Sequence, residues 1–297
     1  DNGLEVGTRF ELESFGHPAD EQYIYFKGSF GTLTLGGHNS SIYNLGWLAS
    51  GHNYTAGAPI NTGWIVTLTG GPGDSTSGFR SPAISTYVDV HNDDNTISYE
   101  TPRFAGFKFG ASYTPRTNGI GSTVGFNNGN IDANEHNGTS VAANFTRSFQ
   151  DVTLAAAGGW ARAEEGENFG NDEQVVWSGH ANLAAAGFNF GGGFANKDAD
   201  DTTDAATDGF SWDVGAGYTT GPWSFQVNYF KSEIEGGTGV GNGGDDENRF
   251  IQAAVDYAIG PGIKASATLM NARYEGNDAG DNTATATIGV LGTTVTF

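Results

Sequence analysis

The chain has 297 residues, with 34 acids against 13 bases, a formal net charge of −21, 47 Gly, one Met and no Cys. The missing Cys excludes disulfide frameworks and thiolate metal sites, and the acidic balance excludes nucleic acid as a partner, because a phosphate backbone would be repelled. With 37% hydrophobic and 12% aromatic residues the chain is too apolar for an acidic disordered protein, yet no run approaches the roughly 18 apolar residues of a membrane-spanning helix.

Alternation opens the chain. Over 2–13, Leu4, Val6, Thr8, Phe10 and Leu12 share one face, while Glu5, Gly7, Arg9 and Glu11 share the other, the period of a half-buried strand. Strands are expected next at 21–28 and 31–37, joined by the tight turn Gly28-Ser29-Phe30-Gly31. Almost sixty residues then pass before the strand expected at 95–102, with Trp47, Tyr54, Trp64, Phe79 and Tyr87 scattered among Gly and Ser. A structureless surface loop of that length and aromaticity is uncommon, so 38–94 is expected to pack against the interior of whatever the strands enclose.

Beyond it, 105–114 sets Phe107, Phe109, Ala111 and Tyr113 against Gly106, Lys108, Gly110 and Ser112. Further strands are expected at 138–148, 151–162, 174–185 and 187–197, then at 209–219 and 223–232. In that last pair Phe210, Trp212, Val214, Trp223, Phe225 and Val227 oppose Ser211, Asp213, Gln226 and Asn228. Strands at 248–259, 262–274 and 282–297 complete a count of about fourteen, and the last closes on the aromatic Phe297. Most run eight to twelve residues, close to the roughly 9–11 that cross a bilayer at a tilt. Tight turns such as Gly221-Pro222 and Gly260-Pro261-Gly262 alternate with long acidic loops at 115–137, 163–173, 198–208, 233–247 and 275–281. One apolar face for lipid, one polar face for water, aromatics at strand ends, and short turns opposite long loops are the pattern of an antiparallel transmembrane β-barrel of the outer membrane. One domain over 1–297 suffices.

The blocks Asp1-Asn2-Gly3-Leu4-Glu5, Gly28-Ser29-Phe30-Gly31-Thr32-Leu33-Thr34-Leu35-Gly36, Asn95-Thr96-Ile97-Ser98-Tyr99-Glu100-Thr101-Pro102 and Phe104-Ala105-Gly106-Phe107, with the terminal Phe297, resemble the trimeric general diffusion porins of Gram-negative bacteria. The resemblance runs over essentially the whole chain. It implies a sixteen-stranded barrel, and because Asp1-Asn2-Gly3-Leu4-Glu5 is similar to the start of the family's third strand, the first two strands are expected to be missing from this sequence. It also implies a homotrimer, an integral outer-membrane location, and a long third loop, here 38–94, folded into the lumen to narrow the pore. In resembling porins, acids on that loop face a basic cluster on the wall. Parity places Glu5, Arg9, Glu11, Ser98, Glu100, Lys108, His180, Asn182, Lys197, Asp213, Gln226, Asp256 and Lys264 on the inward face. The constriction is accordingly expected among Arg9, Glu11, Lys27, Glu100 and Lys108 on the wall, and Asp74, Arg80 and Asp89 on the loop.

No catalytic constellation emerges, and the six His are dispersed with none at metal-ligand spacing. No cofactor is required on this reading. The acid-rich loop holding Asp198, Asp200, Asp201 and Asp204 has oxygen ligands that suit Ca²⁺, which would also bridge to anionic lipopolysaccharide; a hydrated outer rim explains the same residues. The expected function is passive diffusion of small hydrophilic solutes and ions with weak cation preference. A solute-specific porin, kept open by Trp47, Tyr54 and Trp64, and a structural or adhesive barrel are the alternatives.

Overall fold

The computed structural model describes residues 3–11, 21–48, 86, 88, 94–116, 136–164, 173–199, 208–234, 246–275 and 283–296. Fourteen strands form one sheet in which every strand pairs antiparallel with its neighbours in sequence. They are β1 (Glu5–Phe10), β2 (Gln22–Gly28), β3 (Gly31–Gly37), β4 (Asn95–Glu100), β5 (Phe107–Arg116), β6 (His136–Phe149) and β7 (Val152–Glu164). The series continues with β8 (Glu173–Ala185), β9 (Phe188–Ala199), β10 (Gly209–Thr220), β11 (Trp223–Ile234), β12 (Asp246–Gly260), β13 (Ile263–Glu275) and β14 (Thr283–Val295). One short helix, α1 (Ser41–Leu45), lies between β3 and β4. β1 and β14 form the two edges of the sheet, with no pairing between them among the described residues.

Turn chemistry fixes one end of the sheet. Ala105-Gly106 and Ala186-Gly187 both have positive φ, at 50° and 96° and at 50° and 84°, as the two-residue hairpins that follow strand twist require. Strand ends depart from the sequence expectation where a donor is missing. The fourth strand stops at Glu100 and not at 102, since Pro102 has no N–H to offer a ladder. The first covers Glu5–Phe10 only, and the expected positions 12 and 13 lie outside the described residues.

Burial separates the two faces as the alternation predicts. The outward side chains are apolar and exposed, among them Phe107, Phe109, Phe188, Phe190, Trp223 and Phe225. They stack in pairs beside the short turns: Phe107 with Phe109, Phe188 with Phe190 and Trp223 with Phe225, at centroid separations of 6.1, 6.0 and 6.1 Å. That is the aromatic girdle of a membrane rim. The opposite face is polar and buried, with Ser98, Ser112, Ser140, His180, Lys197, Asp213 and Gln226 all under 10% exposed.

This inner face also carries apolar residues that the parity reading leaves out. Phe230, Phe250, Met270, Ala272 and Tyr274 form a buried cluster on β11–β13, and Ile42 of α1 packs with Val88, Ala161, Val176 and Ala195. Gly193, in the run Gly191-Gly192-Gly193, gives room for a side chain: a Cβ there would lie 2.0 Å from His180 Nδ1.

Candidate pore wall and lumenal cavity

Register brings the charged residues of the first five strands together. Glu5 pairs with Lys27, Lys27 with Thr32 and Thr32 with Glu100, so these four share one row across β1–β4. Arg9 lies opposite Tyr23 higher on the same face, and Glu11 N–H donates to the Glu21 carbonyl at 2.9 Å, extending the ladder past the end of β1. Arg9 is ion-paired with Glu11 and approaches Glu21 at 3.8 Å. Asn39 Nδ2 donates to Glu21 Oε1 at 2.5 Å. On the other side, Lys108 of β5 is paired with Glu100 of β4.

The helix α1 is seated on this inner face by a few specific groups. Ser41 N–H donates to Ser112 Oγ at 3.1 Å and Ile42 N–H to Ser140 Oγ at 3.3 Å, while the two Ser hydroxyls join at 2.6 Å. Backbone donors at a helix start otherwise have no partner, and here the wall supplies them. Gly110 and Gly159 make the approach possible, because a Cβ would fall 2.7 Å from Leu45 and 2.6 Å from Ile42 respectively. At the root of the same segment, His38 N–H donates to the Asp94 carbonyl at 3.3 Å, tying the exit from β3 to the entry to β4. His38 Nδ1 lies 2.9 Å from the Gly36 carbonyl and Nε2 lies 2.7 Å from Ser98 Oγ. A carbonyl only accepts, so Nδ1 carries the proton and Nε2 accepts from Ser98. Burial lowers the pKa of this ring below its ordinary value.

Between α1 and the wall lies a cavity of about 550 Å³. Its charged lining is Arg9, Glu11, Glu21, Glu100 and Lys108; Tyr23, Tyr25, Tyr43, His38, Asn39 and Asn44 add polar and aromatic surface. Among the described residues the lining holds two bases and three acids, one more acid than base.

Of the residues singled out from sequence, Arg9, Glu11, Glu100 and Lys108 therefore line one space. Lys27 shares their face and stands in the same row as Thr32 and Glu100, but it does not line this space. Asp74, Arg80 and Asp89 lie outside the described residues, as do Asp200, Asp201 and Asp204. Asp198 is in β9, in register with Val175. Among the described residues, no group of three His, Cys, Asp or Glu is placed to hold a metal ion. The bases on this wall are not a separate basic stripe, since Arg9 and Lys108 each have a carboxylate partner on an adjacent or the same strand end. Glu21, Tyr23 and Tyr25 also line this space without being among the residues singled out from sequence, although counting back in steps of two from Lys27 reaches all three.

Comparison with known proteins agrees with this architecture. No curated protein sequence matches the chain. Among solved structures, in-vitro folded OmpT, an outer membrane protein of Vibrio cholerae, superposes with TM-score 0.60 at 13% identity, covering 99% of this chain and 85% of that one. Its trimer form gives TM-score 0.54 at 13% identity, with 98% and 83% covered. The anion-selective porin from Comamonas acidovorans gives 0.56 at 15% identity, with 99% and 83% covered. At such identities these likenesses speak for the outer-membrane β-barrel fold. The family model described as Gram-negative porin matches residues 1–277, and the chain belongs to that family of integral outer-membrane channels.

Proposed function

We propose that the chain forms a general diffusion pore, passing small hydrophilic solutes and ions down their gradients without covalent chemistry, and that 38–94 is its constricting segment. The observation that carries this reading is the tethering of α1 to the inner wall beside a cavity lined by charged side chains. Transport through such a space is governed by its width and its lining charges. Among the described residues of the cavity lining acids exceed bases by one, which favours weak cation preference. The Comamonas relative is anion-selective, so the fold supports either sign and the lining decides. A homotrimer, in line with the trimer form of OmpT, and Ca²⁺ held by the acidic rim loops belong to the same reading.

Among the described residues a solute-specific channel is favoured by the three tyrosines Tyr23, Tyr25 and Tyr43 around the cavity. Planar-bilayer recording separates the two. A general pore gives ohmic conductance that scales with bulk salt, with a reversal potential under a KCl gradient of modest cationic sign that shrinks as salt rises. Saturation of the current by one solute class at micromolar to millimolar concentration would favour the specific channel, and clear anion preference would overturn the charge argument.

A further inference from the structure

The first two strands present an aromatic surface that the charged pairs beside it leave unused. Tyr25 of β2 lies opposite Gly7 of β1, and a Cβ on Gly7 would fall 2.4 Å from Tyr25 Cζ. The ring therefore leans across the wall from β2 to β1, into the space that a side chain would fill, and its hydroxyl donates to Glu5 Oε1 at 2.9 Å. Its other side is turned to the cavity, of which Tyr25 is a lining residue. Among the described residues no Lys or Arg lies over this ring; the cation–ring contact there is Arg147 with Phe149. Tyr23 lines the same cavity, its ring tilted at 57° to that of His38 with 5.5 Å between centroids. Two residues apart on one strand, the tyrosines start about 7 Å from one another at roughly 3.4 Å per residue. A cation between them lies within the roughly 6 Å over which a ring face attracts it.

Charge and hydrogen bonding decide which cation fits. Glu21, the next residue on this face, is 8% exposed, and Arg9, 3.8 Å from it, is also ion-paired with Glu11. One guanidinium thus serves two carboxylates, and negative charge remains beside the tyrosines. The acceptors, however, are engaged. Glu21 Oε1 accepts from Asn39 Nδ2, Glu100 Oε2 from Lys108 Nζ and Glu5 Oε1 from the Tyr25 hydroxyl. A primary ammonium brings three N–H donors that need partners once water has left. A quaternary ammonium brings the charge without the donors, so it suits a ring face whose neighbouring acceptors are taken. The phenol–carboxylate hydrogen bond also polarises the Tyr25 ring toward greater electron density, which strengthens its hold on a cation.

We infer that Tyr25, seated on Gly7 and flanked by Tyr23 and Glu21, is a binding platform for solutes that carry a trimethylated nitrogen. The inference names a solute class for the proposed pore and rests on that reading for its part in transport, while binding itself needs only the wall of β1 and β2.

Titration calorimetry of the purified full chain in an uncharged maltoside detergent tests binding apart from conduction, with choline, its uncharged tert-butyl isostere and ethanolamine as probes. Wild type should bind choline about tenfold more tightly than either of the others. Y25L should lose about tenfold in choline affinity, Y25W should retain it, and G7V, which displaces the ring while leaving Tyr25 in place, should lose a similar factor to Y25L. Equal choline affinity in wild type and Y25L, or equal binding of the uncharged isostere, would overturn the inference. If Y25L fails to fold, G7V against Y25W provides the comparison, and equal affinity in those two would overturn it as well. Planar-bilayer recording is read separately: choline should reduce the KCl current through wild type and leave that through Y25L unchanged. Choline binding in a chain that passes no current would support the site and refute the pore reading, so the two failures remain distinct.

Discussion

Neutralising one member of the Glu100–Lys108 pair should tilt ion selectivity by a calculable amount. A cavity of about 550 Å³ corresponds to a sphere of roughly 5 Å radius, which puts a permeating ion about 6 Å from either charge. In a water-filled space with ε near 80 the interaction is about 0.7 kcal/mol, and screening at 0.1 M salt reduces it to about 0.4 kcal/mol. Glu100→Gln removes that attraction for cations and the matching repulsion for anions, so the cation-to-anion permeability ratio should fall by about 0.8 kcal/mol, or roughly fourfold. At 0.01 M salt, where the Debye length is near 30 Å, the change should approach sevenfold. Lys108→Gln should raise the ratio by a similar factor, and the double variant should return close to wild type. Reversal potentials in planar bilayers under a KCl gradient measure all four proteins. If both single variants shift the ratio the same way, or neither moves it by more than about 1.3-fold, this cavity does not lie on the conduction path. Both side chains are partly exposed, so each loss should cost under about 1 kcal/mol of stability and leave folding intact.

Two further outcomes follow from the seating of α1. Ile42 is 1% exposed and packs with Val88, Ala161, Val176 and Ala195, so Ile42→Ala should weaken that anchorage by about 2–4 kcal/mol; single-channel records should show larger and noisier conductance, and unchanged traces would refute the anchoring role. Burial depresses the pKa of His38 below its ordinary 6.5, so its contribution to stability is complete above that value and is lost as pH falls through the folded pKa. Thermal unfolding of wild type should therefore show a loss of stability as pH falls below 6.5 that His38→Gln lacks. The neighbouring Glu100, Glu21 and Asp94 carboxylates are common to both proteins, so any pH response they produce cancels in the comparison.

Alternation made the faces legible because a strand has only two, and one wrong step would have inverted every assignment. Arg9, Glu11, Glu100 and Lys108 fall on the inner face for that reason, and their meeting in one cavity follows from the ladder register of β1–β5. Tyrosine was harder to read. Tyr23 and Tyr25 suit a lipid rim or a wet wall equally well, since the ring is apolar and the hydroxyl polar, and only the ladder to β1 places them inside. Phe230 was hidden by Tyr229 beside it: two consecutive aromatics erase the period-two signal, and the burial of Phe230 against Phe250 at 5.6 Å between centroids is a tertiary fact. The tether of α1 depends on Ser112 and Ser140, small polar residues that in a sequence look like any other water-facing position.

Charge shows how composition and site can diverge. The net −21 points to a strongly electronegative channel, yet the inner faces of the strands tell otherwise. Glu5, Glu11, Glu21, Glu100, Asp213 and Asp256 are set against Arg9, Lys27, Lys108, Lys197 and Lys264, and Lys264 lies 3.2 Å from Asp256 as Lys108 lies beside Glu100. Among these described residues acids exceed bases by one, and the buried Asp94, in phase with Thr96 and Ser98 just before β4, adds one more acid. The surplus of acids is in the long loops and at the strand ends beside them, as in Glu164, Glu173, Glu233, Glu247 and Glu275. Charges at the mouth raise the local concentration of cations over a Debye length of about 10 Å at 0.1 M salt, and they act on arrival more than on passage. A near-neutral wall of opposed pairs instead presents a passing solute with strong local fields of alternating sign. Such a surface should favour small dipolar solutes over apolar ones of equal size, because an apolar solute gives the paired charges no hydrogen bonds in exchange for the hydration it displaces, and liposome-swelling rates for size-matched polar and apolar solutes check this.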